Sequence, residues 1–110
     1  MATLKAGNVV VADFPGITGV KRRPALVSTD EYHNYHPCAL LAAITTNLTA
    51  ATTPMDYTLS AWTAAGLHRP SAFRVPLVTL PQAQVLAVLG HLSVADWRAV
   101  QDRLRRPIAI

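Results

Sequence analysis

The sequence predicts a mainly β protein, a small, strongly bent antiparallel sheet or barrel followed by one C-terminal helix. Three observations carry this reading: several short apolar runs rich in β-branched residues, Gly- and Pro-containing breaks between them, and one clear helical periodicity, near the end of the chain.

Asn8 to Phe14 (NVVVADF) reads as a first strand, and the following PGITG carries the punctuation of a turn or loop. After the basic KRR, Pro24 to Thr29 (PALVST) is a second strand. The turn-like DEYHNYHP leads to a third apolar segment, Cys38 to Thr46 (CALLAAITT), for which periodicity alone leaves helix open. Asn47 to Pro54 is small, polar and uncharged, as suits an exposed loop, and pairing can resume over Asp56 to Leu59. Gly66 and Pro70 place a turn before a strand covering roughly Ser71 to Leu80. Pro76 inside it cannot donate to a ladder, which puts it on an edge or at a bulge. Val85 to Gly90 is either a strand or the end of a helix begun at Pro81. Ser93 with Asp96 imitates a capping box, and Leu92, Trp97, Val100 and Leu104 share one face of a helix that should end near Arg106, before Pro107.

Composition narrows the function. The 110 residues, 51% hydrophobic and 15% charged, suit one domain over 1–110. No apolar run approaches the roughly 18 residues of a membrane span, and MATLKAGNVVVADF lacks the regions of a signal peptide, so a cytoplasmic protein without a membrane partner is expected. The single Cys38 has no Lys or Arg beside it to lower its pKa and is expected to pack in the core. Trp62 and Trp97 are also expected to be packing residues, and no aromatic stripe offers bases a stacking surface. Four scattered histidines without a carboxylate or Cys at ligand spacing suggest no metal and no cofactor. The net charge of +4 favours polyanions or acidic partners. Eight of the ten cations are arginine, whose planar fork matches phosphate oxygens in pairs.

The stretch Lys5 to Ser28, KAGNVVVADFPGITGVKRRPALVS, resembles the N-terminal signature of the MazF/PemK toxins, and Leu41 to Thr46 (LAAITT) continues the match. The later ATTPMDYTLSAWTAAGLHRPSAFRVPLVTLP is similar more loosely. The resemblance implies a small SH3-like barrel or bent sheet of the CcdB/MazF type. It also implies a metal-independent endoribonuclease that cuts single-stranded RNA, assembles as a homodimer and is neutralised by an acidic antitoxin.

Under the resemblance the catalytic residues fall on Arg23 and Thr45. Pro24 biases Arg23 towards an extended backbone at a strand entrance, where it can project from the sheet rim. Lys21, Arg22, Thr46, Arg69 and Arg74 are the further candidates for RNA contact, with Arg22 a substitute for Arg23 at the cleft. Sequence selection would rest on the loops Pro15 to Arg22 and Asn47 to Pro54. Two departures stand out: Asn8 replaces an acidic residue after Gly7, with consequences for local hydrogen bonding only, and Val75 replaces a carboxylate that some relatives use beside the preceding arginine. Two other classes of function remain open. One is a CcdB-like inhibitor of a protein such as DNA gyrase, disfavoured because RRPIAI carries no Trp; the other is a barrel that binds nucleic acid without cutting it.

Overall fold

The computed structural model describes residues 4–16, 19–49 and 53–108. The elements run β1 (Asn8–Gly16), β2 (Gly19–Val27), α1 (Tyr32–Tyr35), β3 (Cys38–Thr45), β4 (Tyr57–Thr58), β5 (Ala72–Pro81), a 3-10 turn (Gln82–Gln84), β6 (Val85–His91) and α2 (Val94–Ile108). All strand pairs are antiparallel, in the order β4-β5-β3-β2-β1-β6. Among the described residues β4 and β6 remain separate edges, so the sheet is bent and open and does not close into a barrel. The register breaks at two places between β1 and β6 and once between β3 and β5, which are the irregularities that let a sheet curl.

Both faces of the sheet are covered, and strict alternation along the strands sorts the side chains between them. On one face Val9, Leu26, Ala42, Ile44 and Phe73 join Val100 of α2, with Trp62, Trp97 and Leu104 packed against them. On the other, Val10, Ala12, Ala25, Val27, Leu41 and Leu80 form a second cluster that Phe14 and Val78 extend. Both tryptophans therefore pack, as expected, whereas Cys38 at the start of β3 is only half-buried.

The alanine-rich third segment is strand: paired with β2 and β5, it alternates between the two clusters, and small alanines let both layers approach. Ala42 pairs with Leu77 and Ala43 with Arg74, so Val75 and Pro76 form a bulge, which spares Pro76 a ladder bond it could not make. Val85–His91 is also strand, and the turn begun at Pro81 lasts only three residues. DEYHNYHP contains one helical turn, α1, that the reading as a plain turn did not separate.

Two boundaries differ more. β1 continues through Pro15 to Gly16, and β2 begins at Gly19, so most of PGITG and all of KRR belong to a β-hairpin. Pairing with β1 supplies the order that charge and Pro24 conceal, including the cross-strand pair Asp13–Arg22. At the other end α2 passes Pro107 to Ile108; a proline in the last turn forfeits a bond on which no further helix depends.

The Ser93 hydroxyl accepts the Asp96 N–H at 3.1 Å, half of a capping box. Asp96 does not reach back. Its carboxylate accepts Tyr57 Oη at 2.6 Å, Ser60 N and Oγ at 3.1 and 2.7 Å, and Ala61 N at 2.9 Å, fastening α2 to the turn after β4. Asn8 accepts the Lys5 N–H at 2.7 Å and so closes the local turn before β1.

Candidate active site

β2 and β3 pair only at Ala25↔Ala43, Leu26↔Ala42 and Val27↔Leu41. Beyond Ala25, β2 follows β1 alone, and a gap opens towards the end of β3. Pro24 suits this departure, because it has no N–H to leave unpaired on the open side. The gap leads into a cavity of about 500 Å3 on the face of the second cluster. Lys21, Arg23, Thr45 and Arg74 line it, over an apolar floor that includes Phe14 and Val78.

Strand alternation explains the membership. Lys21 and Arg23 are two residues apart on β2, opposite Phe14 and Ala12 of β1, and therefore share their face. Arg23 is exposed and makes no ion pair among the described residues. Thr45 is half-buried, and its Oγ1 accepts the Asn47 N–H at 3.0 Å, which fixes the hydroxyl while leaving its proton free to donate. Arg74 pairs with Ala43 across β3 and reaches the cavity from the far wall.

The remaining sequence candidates lie elsewhere. Arg22 projects from the opposite face, where its Nε donates to Asp13 Oδ1 at 2.9 Å, and this hydrogen bond and charge raise the guanidinium pKa further. Arg22 therefore cannot stand in for Arg23 without a turn of the strand. Thr46 and Arg69 line a second, more apolar cavity of about 320 Å3 with His68, Leu67 and Leu89. The two proposed selection loops fall partly outside the described residues, at 17–18 and 50–52.

One participant was missed. Asp56, immediately before β4, places its carboxylate beside Arg74, with Oδ1 3.5 Å from Arg74 Nε. The only available signal was the register of β4 on β5, which the thirteen residues between the two strands conceal. Of the histidines, His33 is buried with Nε2 against Leu4 O at 2.7 Å, His36 stacks on Tyr32, and both ring nitrogens of His91 face carbonyl oxygens. None of these lines the cavity of Arg23. Among the described residues no three His, Cys, Asp or Glu side chains gather as a metal site would require, and no helix is long and apolar enough to cross a membrane.

Solved structures share this architecture along nearly the whole chain. An endoribonuclease bound to its cognate antitoxin, from a mycobacterial species, matches with a TM-score of 0.77 at 16% identity, over 97% of this chain and 96% of that one. MazF in a MazE–MazF complex from Deinococcus radiodurans matches with a TM-score of 0.78 at 21% identity, over 99% of both chains. The Mycobacterium tuberculosis toxin MazF-mt6 matches with a TM-score of 0.75 at 19% identity, over 94% and 97%. At such identities the likeness is one of fold. No curated protein sequence matches significantly. The family model for PemK-like, MazF-like toxins of type II toxin–antitoxin systems matches residues 5–108, and the chain belongs to that family.

Proposed function

We propose that this toxin is an endoribonuclease that cuts single-stranded RNA at the cavity of Arg23 and Thr45 and thereby blocks translation and growth. The observation that carries the reading is the convergence of three cations, Lys21, Arg23 and Arg74, with the Thr45 hydroxyl around one opening. Solved proteins of the same fold that are named endoribonucleases agree with it.

The chemistry follows from the side chains present. The RNA 2'-oxygen attacks the adjacent phosphorus and gives up its proton, the bond from phosphorus to the 5'-oxygen breaks, and that oxygen takes a proton as it leaves. The products are a 2',3'-cyclic phosphate and a 5'-hydroxyl. Charge gathers on the two non-bridging oxygens, and the Arg23 guanidinium at the cavity offsets it, an effect worth roughly 3 to 4 kcal/mol for oxyanion donors in other enzymes. A guanidinium keeps its proton at neutral pH and presents donors only, so Arg23 acts as an electrostatic stabiliser and not as a base. Thr45 donates its free proton to a phosphate oxygen or orients the 2'-hydroxyl.

An acidic antitoxin segment is the natural competitor, since a chain of net charge +4 with an open cationic cavity attracts either polyanion. A homodimer belongs to the same reading. Edge strand β6 exposes Leu86, Val88 and Leu89, an apolar unpaired edge that is a liability in a lone protomer.

The test is an unstructured RNA incubated with the purified toxin in excess EDTA. Cleavage leaving cyclic phosphate ends, abolished by a 2'-deoxy group at the scissile nucleotide, is the expected result. Dependence on added magnesium, or RNA retained without cleavage, would refute the scheme.

A further inference from the structure

Arg74 is the cavity cation with a carboxylate of its own. β4 pairs Tyr57 with Phe73 and Thr58 with Ala72, and one further antiparallel step sets Asp56 opposite Arg74. The Asp56 side chain is 5% exposed, with Oδ1 3.5 Å from Arg74 Nε, and that nitrogen is buried without a hydrogen bond. The other oxygen, Oδ2, accepts the Thr53 N–H and hydroxyl, both at 3.1 Å. The Asp56 carbonyl accepts Arg103 Nε of α2 at 3.2 Å, while the same guanidinium lies 4.7 Å over the Tyr57 ring. Asp56 is thus held through its backbone by α2 and through one oxygen by its own loop, leaving the other oxygen for Arg74.

We propose that Asp56 is a positioning residue: it anchors the buried Nε of Arg74, so that the two Nη groups face the cavity as a fixed phosphate fork opposite Arg23. The Nη groups make no hydrogen bond among the described residues, and the side chain is 37% exposed although Nε is not. The 3.5 Å contact is a charge contact and not a hydrogen bond. Asp56 does not act as the base, because its carboxylate is almost fully covered and both oxygens are engaged. This inference rests on the ribonuclease reading.

The experiment compares the wild type with Asp56→Asn, Arg74→Ala and the double variant in single-turnover cleavage, with and without methylguanidinium. Asp56→Asn keeps the size of the side chain and an oxygen for Thr53. It should lower kcat/KM about tenfold and cost little more once Arg74 is gone. Methylguanidinium should restore cleavage to Arg74→Ala, because Asp56 still holds a guanidinium there, and should fail in the double variant. Exchange of the Arg74 Nε proton, read by NMR without any substrate, should quicken in Asp56→Asn. Multiplying effects of the two substitutions, rescue that survives loss of Asp56, or unchanged Nε exchange would overturn the inference while wild-type cleavage left the ribonuclease reading standing. A wild type that cuts no RNA would overturn both.

Discussion

Replacing Asp96 by alanine removes the joint between α2 and the turn after β4. Asp96 is fully buried, and its carboxylate accepts four hydrogen bonds from Tyr57, Ser60 and Ala61. A hydrogen bond to a charged group contributes about 1.5 to 3 kcal/mol net. The four share one acceptor and do not add fully, but truncation also strands the donors and removes a negative charge from the first turn of α2, worth about 0.3 to 1 kcal/mol. Asp96→Ala should therefore cost about 4 kcal/mol, a large share of the roughly 5 to 15 kcal/mol that holds such a domain together. Urea unfolding followed by the fluorescence of Trp62 and Trp97, both packed on the same cluster, measures it directly. Burial pushes the Asp96 carboxyl up, but the bonds from Tyr57, Ala61 and Ser60 outweigh burial and hold its pKa below the ordinary value. The associated stability is complete above the unfolded-state pKa of about 3.9 and is lost as pH falls through the lower folded value, so the gap between wild type and variant should narrow below about pH 4. The bond to Asp96 raises the Tyr57 pKa, and its share is lost only as pH climbs through that raised value. A loss under about 1 kcal/mol at pH 7, or a gap that does not change with acid, would refute the reasoning.

Gly7 has a φ of +88° and a Cβ there would lie 2.6 Å from the His91 ring, so Gly7→Ala should destabilise by about 2 kcal/mol in a thermal melt, with part regained in the double variant with His91→Ala. Thr45→Ser keeps the hydroxyl and should cleave within a few-fold of wild type, whereas Thr45→Ala should lose about tenfold or more in single-turnover rate. Equal rates for the two Thr45 variants would remove the hydroxyl from the scheme.

Much of the fold was legible because it depends on local pattern. The β-branched NVVVADF, the helical face of Trp97, Val100 and Leu104, and the bulge forced by Pro76 all follow from spacing or from a missing N–H. The site was legible in its residue types more than in its grouping. Reading β2 from Pro24 left Lys21, Arg22 and Arg23 as one basic cluster; starting it at Gly19 divides them between two faces, because a strand alternates. That start is set by β1, a tertiary partner that no local propensity reports. Asp56 and the donors to Asp96 were hidden for the same reason, as each meets partners well separated in sequence.

Arg22 and Arg23 offer the most direct test, being identical in type, adjacent in sequence and on opposite faces of β2. Single-turnover cleavage by Arg23→Ala and Arg22→Ala should separate them. Loss of a cationic donor worth roughly 3 kcal/mol predicts a fall of about a hundredfold or more for Arg23→Ala, and a rate within a few-fold of wild type for Arg22→Ala, whose partner is Asp13. Equal losses, or a larger loss at Arg22, would contradict the assignment of the cavity as the active site.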